Sequence, residues 1–274
     1  MNLKGKIQLY GQTDSGLHRN HNEDTIGYDE NIALAVLADG MGGHRCGEIA
    51  SAITVSTILE FAREKIKQLK TSGSDKETIS NMQSLVIREA VTLANKNVYD
   101  SSQSNAQYRG MGTTVVAIMF YDDQFTVAHV GDSRLYRLRN NELEQITRDH
   151  SYTQELLDCG IYTPEQAENS AHKNLITRAI GIDEKVQIDI QSGSVKTDDI
   201  YLLCSDGVND MIDDELIKSI MTKNNDNLEK TASEIIRSAN EHGGKDNISA
   251  LLARVEKSFP AKNSLFSRFS ILFS

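Results

Sequence analysis

Four stretches of the chain set an aspartate beside glycine or at the edge of an apolar run. They are A-D-G-M-G-G at Asp39, V-G-D-S-R at Asp132, C-S-D-G-V-N-D at Asp206 and Asp210, and G-K-D-N at Asp246. In three of them a strand-like apolar run leads directly into the carboxylate, and Asp246 stands just before one. Carboxylates gathered from distant parts of a chain cost free energy through desolvation and mutual repulsion unless cations neutralise them. The donor set is all oxygen, with the Gly40 carbonyl available beside Asp39, and this suits Mg²⁺ or Mn²⁺ better than zinc. Two such ions roughly 3.5 to 4 Å apart lower the pKa of a shared water enough for in-line attack on phosphorus. An arginine nearby would clamp phosphoryl oxygens bidentately, and Arg19, in R-N-H-N-E-D, is the candidate.

The elements that must carry these residues are organised around Ile32 to His44, I-A-L-A-V-L-A-D-G-M-G-G-H. Its first half reads as a buried strand, and its glycines are expected to halt regular structure just after Asp39. Taken alone, Asp39-Gly40 would be an ordinary turn between two elements. Upstream, Lys6 to Tyr10 reads as a first strand, followed by a polar segment from Gly11 to Asp24. A hairpin-like arrangement of these two strands would bring Arg19 near Asp39. Downstream, Ile49, Ile53, Leu59, Ala62, Ile66 and Leu69 recur at helical spacing, and a second helical pattern runs from Ile79 to Val98. Thr113–Phe120, Phe125–Val130 and Arg134–Leu138 then read as a meander of neighbouring antiparallel strands. Further strands are expected at Val186–Ile190, Ile200–Cys204 and Ile248–Val255, with helices at Asp213–Met221 and Leu228–Asn240. This order, with no long Gly/Ser linker, predicts one α+β domain of antiparallel sheets covered by helices. The segment from Thr147 to Gly181 is expected as a helix and loop over an opening, and the apolar tail, residues 257–274 after the domain of residues 1–256, is expected to pack on the body or in a partner groove, or else to fray.

A formal charge of -10 argues against a nonspecific nucleic-acid or anionic-membrane binder. Cys46, Cys159 and Cys204 are odd in number, widely spaced and without a C-x-x-C, which suggests a reducing compartment and no structural zinc. None is followed six positions later by the arginine of a cysteine-based phosphatase loop. The polar N-terminus does not read as a signal peptide, and no apolar run reaches membrane-span length, so a cytoplasmic chain is expected.

The chain resembles the metal-dependent serine/threonine phosphatases of the PP2C (PPM) family, in their compact bacterial form. The matching runs are T-D-S-G-L-H-R-N-H-N-E-D (Thr13–Asp24), L-A-D-G-M-G-G-H (Leu37–His44), G-M-G-T-T (Gly110–Thr114) and V-G-D-S-R-L-Y (Val130–Tyr136). They continue with D-H-S (Asp149–Ser151), L-I-T-R-A-I-G (Leu175–Gly181), C-S-D-G-V-N-D (Cys204–Asp210) and K-D-N-I-S (Lys245–Ser249). Each run is weak alone, but the ordered set is highly specific.

The resemblance implies a four-layer α-β-β-α sandwich with two central antiparallel sheets and a metal cleft at one end. Asp39 would bridge two core Mn²⁺ or Mg²⁺ ions, the Gly40 carbonyl would hold one of them, and Asp206 and Asp246 would complete the ligands. Asp132 would bind a third, weaker ion, with Asp210 nearby. Glu23 and Asp24 would orient ion-bound waters, Arg19 would bind phosphate, and residues 147–181 would be a flap. The implied partners are phosphorylated proteins and a cognate bacterial Ser/Thr kinase, with a monomeric enzyme that binds no nucleic acid. The sequence departs from animal members at Met41, where they carry a histidine proposed as general acid; His44, or a water on a metal, would be the alternative proton source. Two other readings are a regulatory binding module of the same fold without turnover, disfavoured because every metal aspartate is present, and a stress-response partner switch, which usually carries a sensor domain.

Overall fold

The computed structural model describes residues 3, 5–42, 46–72, 82–168, 170, 172 and 175–260. Two antiparallel sheets lie at its centre. The first has the order β1-β11-β10-β7-β8: β1 Ile7–Asp14, β7 Arg134–Arg139, β8 Glu142–Gln145, β10 Ile200–Cys204 and β11 Ile248–Val255. The second runs β2-β3-β5-β6-β9, namely Asp24–Asp29, Leu34–Met41, Val115–Tyr121, Gln124–Val130 and Asp189–Ser194, with the short β4 (Gly112–Thr113) paired to β3.

The apolar runs are continuous because both faces of these strands are covered. On β3, Leu34, Val36 and Ala38 point outward to α1 (Cys46–Thr71) and α2 (Gln83–Ser104), packing with Ile58, Ala62, Ile87 and Val91. The alternate residues Ala35 and Leu37 point inward, where they meet Leu203, Leu251 and Ala253 of the opposite sheet. Phe120 and Phe125 close this central layer against Tyr201 at ring-centroid distances of 5.2 and 5.3 Å. The outer face of the first sheet, with Leu202, Ala250 and Leu252, is covered by Ile217 and Ile220 of α6 (Asp214–Lys223) and Ile235 of α7 (Leu228–Glu241). Asp213 and Asn227 cap these two helices, accepting bonds from Leu216 N–H and Lys230 N–H at 2.9 Å each. The expected four-layer α-β-β-α sandwich is therefore the observed fold.

Several local expectations are corrected. Arg134–Leu138 does not continue a meander: β6 pairs with β9, and β7 pairs with β10 and β8, so the chain crosses between sheets at Gly131–Ser133. Propensity marks a strand but not the sheet it joins. The first strand does not form a hairpin with the Ile32 stretch, because β1 pairs with β11 and runs on to Asp14. β3 finds its hairpin partner in β2, with Asp24 directly opposite Asp39. Nor do the glycines stop β3 at Asp39, since Gly40 and Met41 pair with Thr113 and Gly112. A Cβ on Gly40 would sit 2.2 Å from the Gly47 carbonyl oxygen, so its glycine permits close approach of α1. The strand expected at Val186–Ile190 forms later, at Asp189–Ser194. Val186 and Ile188 pack on the helix-side core, but the ladder to β6 begins only at Asp189 opposite His129. Ile79 of the second helical pattern, His44 and the tail from 261 lie outside the described residues. Among the described residues no helix is long and apolar enough to cross a membrane.

Leu37 is fully buried between the sheets, so Leu37→Ala should lower unfolding free energy by about 2–5 kcal/mol, read from denaturant midpoints at constant m-value. A change below 1 kcal/mol would show that the inter-sheet layer is not the main core.

Candidate active site

Both sheets end at one edge, and each delivers aspartates there. Asp39 rides on β3, and its backbone is pinned on both sides: its N–H donates to Thr114 Oγ1 (3.1 Å), and its carbonyl accepts from Thr113 Oγ1 (2.7 Å) and Thr114 N–H (2.8 Å). Asp132 follows β6 at the crossing between sheets, where Ser133 Oγ lies 2.6 Å from Thr114 Oγ1. Asp206 opens the short helix α5 (Asp206–Asn209) directly after β10, and the Asp210 N–H returns to the Asp206 carbonyl at 2.8 Å. Asp246 precedes β11. Asp24, at the start of β2, is buried and accepts from Ser205 Oγ (2.8 Å) and Ser249 Oγ (2.6 Å), which ties the two sheets together under the site.

The loop between β1 and β2 is fastened to this edge by Asn247. Its Oδ1 accepts from Glu23 N–H (2.8 Å), and its Nδ2 donates to the carbonyls of His21 (2.9 Å) and Ser15 (3.1 Å). That loop presents Arg19, whose Nη2 donates to Asp246 Oδ2 at 2.6 Å. Arg19 was expected beside Asp39; its direct partner is Asp246, because β1 lies next to β11 and not next to β3. Glu23 reaches the start of α1, where it bonds the Gly47 amide.

Burial and mutual repulsion dominate the electrostatics. Desolvation first, then the charges of Asp24, Asp206, Asp132 and Asp246, hold the Asp39 carboxyl well above the usual range. Asp206 is likewise raised by desolvation and then by Asp132, Asp246 and Asp210. Asp24 is pushed up to about 6, mainly by burial against the pull of its two serine bonds, and Asp132 to about 6 by burial and Asp149. Asp24 Oδ1 and Asp132 Oδ1 are buried oxygens without a hydrogen-bond partner. Carboxylates that repel one another and keep unused lone pairs fit hard divalent cations. From Asp132 and Asp206 a cleft of about 410 Å³ extends past Asp210 to Ser151, Thr153 and Gln154. Those three belong to the predicted flap, which contains α3 (Tyr152–Asp158) and α4 (Pro164–Glu168).

The structure thus brings Asp24, Asp39, Asp132, Asp206, Asp210 and Asp246 within electrostatic reach of one another, with Arg19 and Glu23 at the rim. The sequence reading missed Asn247, Thr113, Thr114, Ser205 and Ser249, which position them. A visible signal was a small hydroxyl or amide residue flanking the acid, as in S-D-G and D-N-I-S. It also missed a compact candidate metal-ligand cluster, the one found among the described residues. His129, His150 and Asp189 place their ligand atoms within 4.8 Å of one another. Burial pushes His150 down to about 4 and lowers His129 as well, so both rings are neutral at physiological pH.

The sequence profile of the protein phosphatase 2C family matches residues 16–253. The chain belongs to the protein phosphatase 2C family. It is an enzyme of the metal-dependent serine/threonine phosphatase class, in its bacterial form. Over 244 residues the phosphatase is 38% identical to the serine/threonine phosphatase stp of Listeria welshimeri, covering 88% of this chain and 93% of that one. Its fold superimposes on the crystal structure of the Mycobacterium tuberculosis serine/threonine phosphatase PstP/Ppp with a TM-score of 0.80 at 32% identity, covering 92% of this chain and 99% of that one. A PstP catalytic domain in complex with two manganese ions matches at a TM-score of 0.78 and 32% identity, covering 92% and 99%.

The raised carboxyls give a signed expectation for the metal-free phosphatase. Asp24, Asp39, Asp132 and Asp206 hold protons that the unfolded chain would release, so their contribution is fully present below about pH 4 and is lost as pH rises through 6 and above. In EDTA the melting temperature should fall between pH 5 and pH 8. Saturating Mn²⁺ should remove most of that fall, and Asp132→Asn should make it shallower. A flat EDTA profile would show that the carboxylates are not crowded.

Proposed function

We propose that the phosphatase hydrolyses phosphoserine and phosphothreonine on proteins at a dinuclear Mn²⁺ or Mg²⁺ centre, and that in the cell it opposes a bacterial Ser/Thr kinase. The observation that carries this reading is the convergence at one edge of Asp39, on β3 of one sheet, and Asp206, directly after β10 of the other, where the Asp206 charge helps to raise the Asp39 carboxyl. Asp39, the Gly40 carbonyl, Asp206 and Asp246 would hold the core ions, and Asp132 with Asp210 a third, weaker one. When bound, such ions supply an activated water and neutralise charge on the transferring phosphoryl group.

The chain's own groups prepare for that chemistry. Arg19 holds a guanidinium at the mouth beside Asp246, where it can clamp phosphoryl oxygens bidentately. Thr113 and Thr114 lock the Asp39 backbone, so the carboxylate does not have to be reoriented during turnover. Asp24 keeps one oxygen on Ser205 and Ser249, leaving the other to orient water; Glu23 at the rim would do the same. The cleft that runs from Asp206 to Gln154 offers a phosphorylated segment a path between the acidic edge and residues 151–154. An acidic edge loaded with cations would attract phosphate, while a formal charge of -10 disfavours nonspecific binding of nucleic acid. The relatives with this activity are bacterial serine/threonine phosphatases, which supports a bacterial signalling role.

Asp39→Asn and Asp206→Asn should each reduce kcat/KM on a phosphothreonine peptide by on the order of 10³-fold or more, and calorimetry should show weakened Mn²⁺ binding. Arg19→Ala should instead raise KM about tenfold or more while Mn²⁺ affinity is retained. Wild-type turnover in Asp206→Asn would refute the assignment of the core ligands. A deletion strain should accumulate phosphothreonine on the substrates of a co-resident Ser/Thr kinase, and an unchanged phosphoproteome would contradict the cellular role.

A further inference from the structure

The sheet crossing that carries Asp132 is gripped from one side by Thr114 and from the other by His150. Gly131 adopts φ +106°, and a Cβ there would meet Thr114 Cβ at 2.6 Å, so the turn is pressed against β5's approach. On the opposite side both polar groups of Gly131 engage one residue. Its N–H donates to His150 Nδ1 (3.1 Å), and its carbonyl accepts the His150 N–H (3.0 Å). The next residue is Asp132, whose Oδ1 is buried and unpartnered.

The first of these bonds fixes the tautomer. With its Nδ1 lone pair committed to Gly131, neutral His150 carries its proton on Nε2, which faces Asp189 Oδ2 at 3.3 Å. Asp189 in turn accepts from Arg178 Nη1 at 2.8 Å. The His129 ring stacks on His150 at 4.6 Å, with its own Nε2 set against the Arg148 carbonyl at 2.9 Å. A metal ligand needs a free lone pair, and His150 has none to offer while the Gly131 bond stands. His129, His150 and Asp189 therefore form a packed brace despite their ligand-like spacing, joined by ring stacking and by the approach of His150 Nε2 to the Asp189 carboxylate, a contact without hydrogen-bond geometry.

The brace also reaches the flap. The His150 carbonyl accepts the Thr177 N–H (2.9 Å), Ser151 forms a β-bridge with Ile176, and Tyr152 N–H donates to the Leu175 carbonyl (2.9 Å). One residue thus connects the Asp132 turn, both ends of the flap and, through Asp189 and Arg178, strand β9.

We propose that His150 is a positioning residue for the ion site at Asp132, held in register by the Asp189–Arg178 pair and coupling that site to the base of the flap. This rests on the reading that Asp132 holds the weaker ion. Partners that orient a metal ligand without touching the metal change affinity by about 10–100-fold when removed.

The test is Mn²⁺ binding to the full chain, by calorimetry and by electron paramagnetic resonance of free Mn²⁺. Asp132→Ala should abolish a weak class of sites. His150→Phe, which keeps the ring volume, should weaken that class about tenfold and leave the tight class within about twofold. Asp189→Asn should act in the same direction with a smaller effect, and it serves if His150→Phe does not fold. A merely structural role would lower the melting temperature of these variants and leave weak-site affinity per folded molecule unchanged, which would overturn the proposal. Unchanged Mn²⁺ binding in Asp132→Ala would overturn the ion reading of Asp132 and this inference with it, whereas weakened binding there with normal binding in His150→Phe and Asp189→Asn overturns this inference alone. Nitrogen-15 spectra of the wild-type rings should show His150 protonated at Nε2 and bare at Nδ1, unmoved by added Zn²⁺. Zn²⁺-induced shifts of His150 would instead make the cluster a metal site and refute the brace.

Discussion

Negative charge concentrated in a small desolvated volume is the constraint around which the molecule is built. Asp39, Asp132, Asp206 and Asp246 come from four separate segments, and the charges of the other three all raise the proton affinity of Asp39. Left as an apolar pocket with buried acids, such an edge would protonate or unfold. Cations held there would resolve the conflict, and the metal dependence of the family would then be a matter of folding electrostatics as well as chemistry.

A cluster of this kind must be held against its own repulsion by groups that do not titrate. Small hydroxyls and one amide do this. Thr113 and Thr114 anchor β3, Ser205 and Ser249 clasp Asp24 from the opposite sheet, and Asn247 gathers the β1–β2 loop with three hydrogen bonds. Because Asp24 pairs with Asp39 across β2 and β3 and with Ser205 and Ser249 of the other sheet, the two sheets cannot slide without disturbing the site. Packing between the sheets and placement of the acids are therefore one property of the fold. The brace from His150 to Arg178 extends the same logic to the flap.

Much of this was legible in the residues themselves. Asp39, Asp132, Asp206 and Asp210 stand out because apolar runs lead into acids, Asp246 because it stands just before one, and the helices after Cys46 and Leu228 follow from 3.6-residue periodicity. The strand assignments held where alternate side chains meet two different cores. What could not be read was which strands are neighbours. Arg134–Leu138 has the same β-prone composition whether it follows β6 in one sheet or crosses to the other, since register and sheet membership are set by non-local contacts. The partner of Arg19 was misplaced for the same reason: Asp246 is 227 residues away in sequence and adjacent only because β1 lies beside β11. The extent of β3 was misjudged because Gly40 is demanded by contact with Gly47 on α1, a tertiary requirement that mimics a turn signal. The histidine brace could not be read as a unit, because His150 and Arg178 fall in two separate runs, D-H-S and L-I-T-R-A-I-G, while His129 and Asp189 lie on strands that become neighbours only in the fold.

The most direct measurement is an anomalous difference map at the manganese edge from crystals grown with Mn²⁺. The account requires the strongest peaks to lie among Asp39, the Gly40 carbonyl, Asp206 and Asp246, a weaker peak at Asp132, and no density between His129, His150 and Asp189. Strongest density at the histidine pair, with the aspartate edge empty, would contradict it.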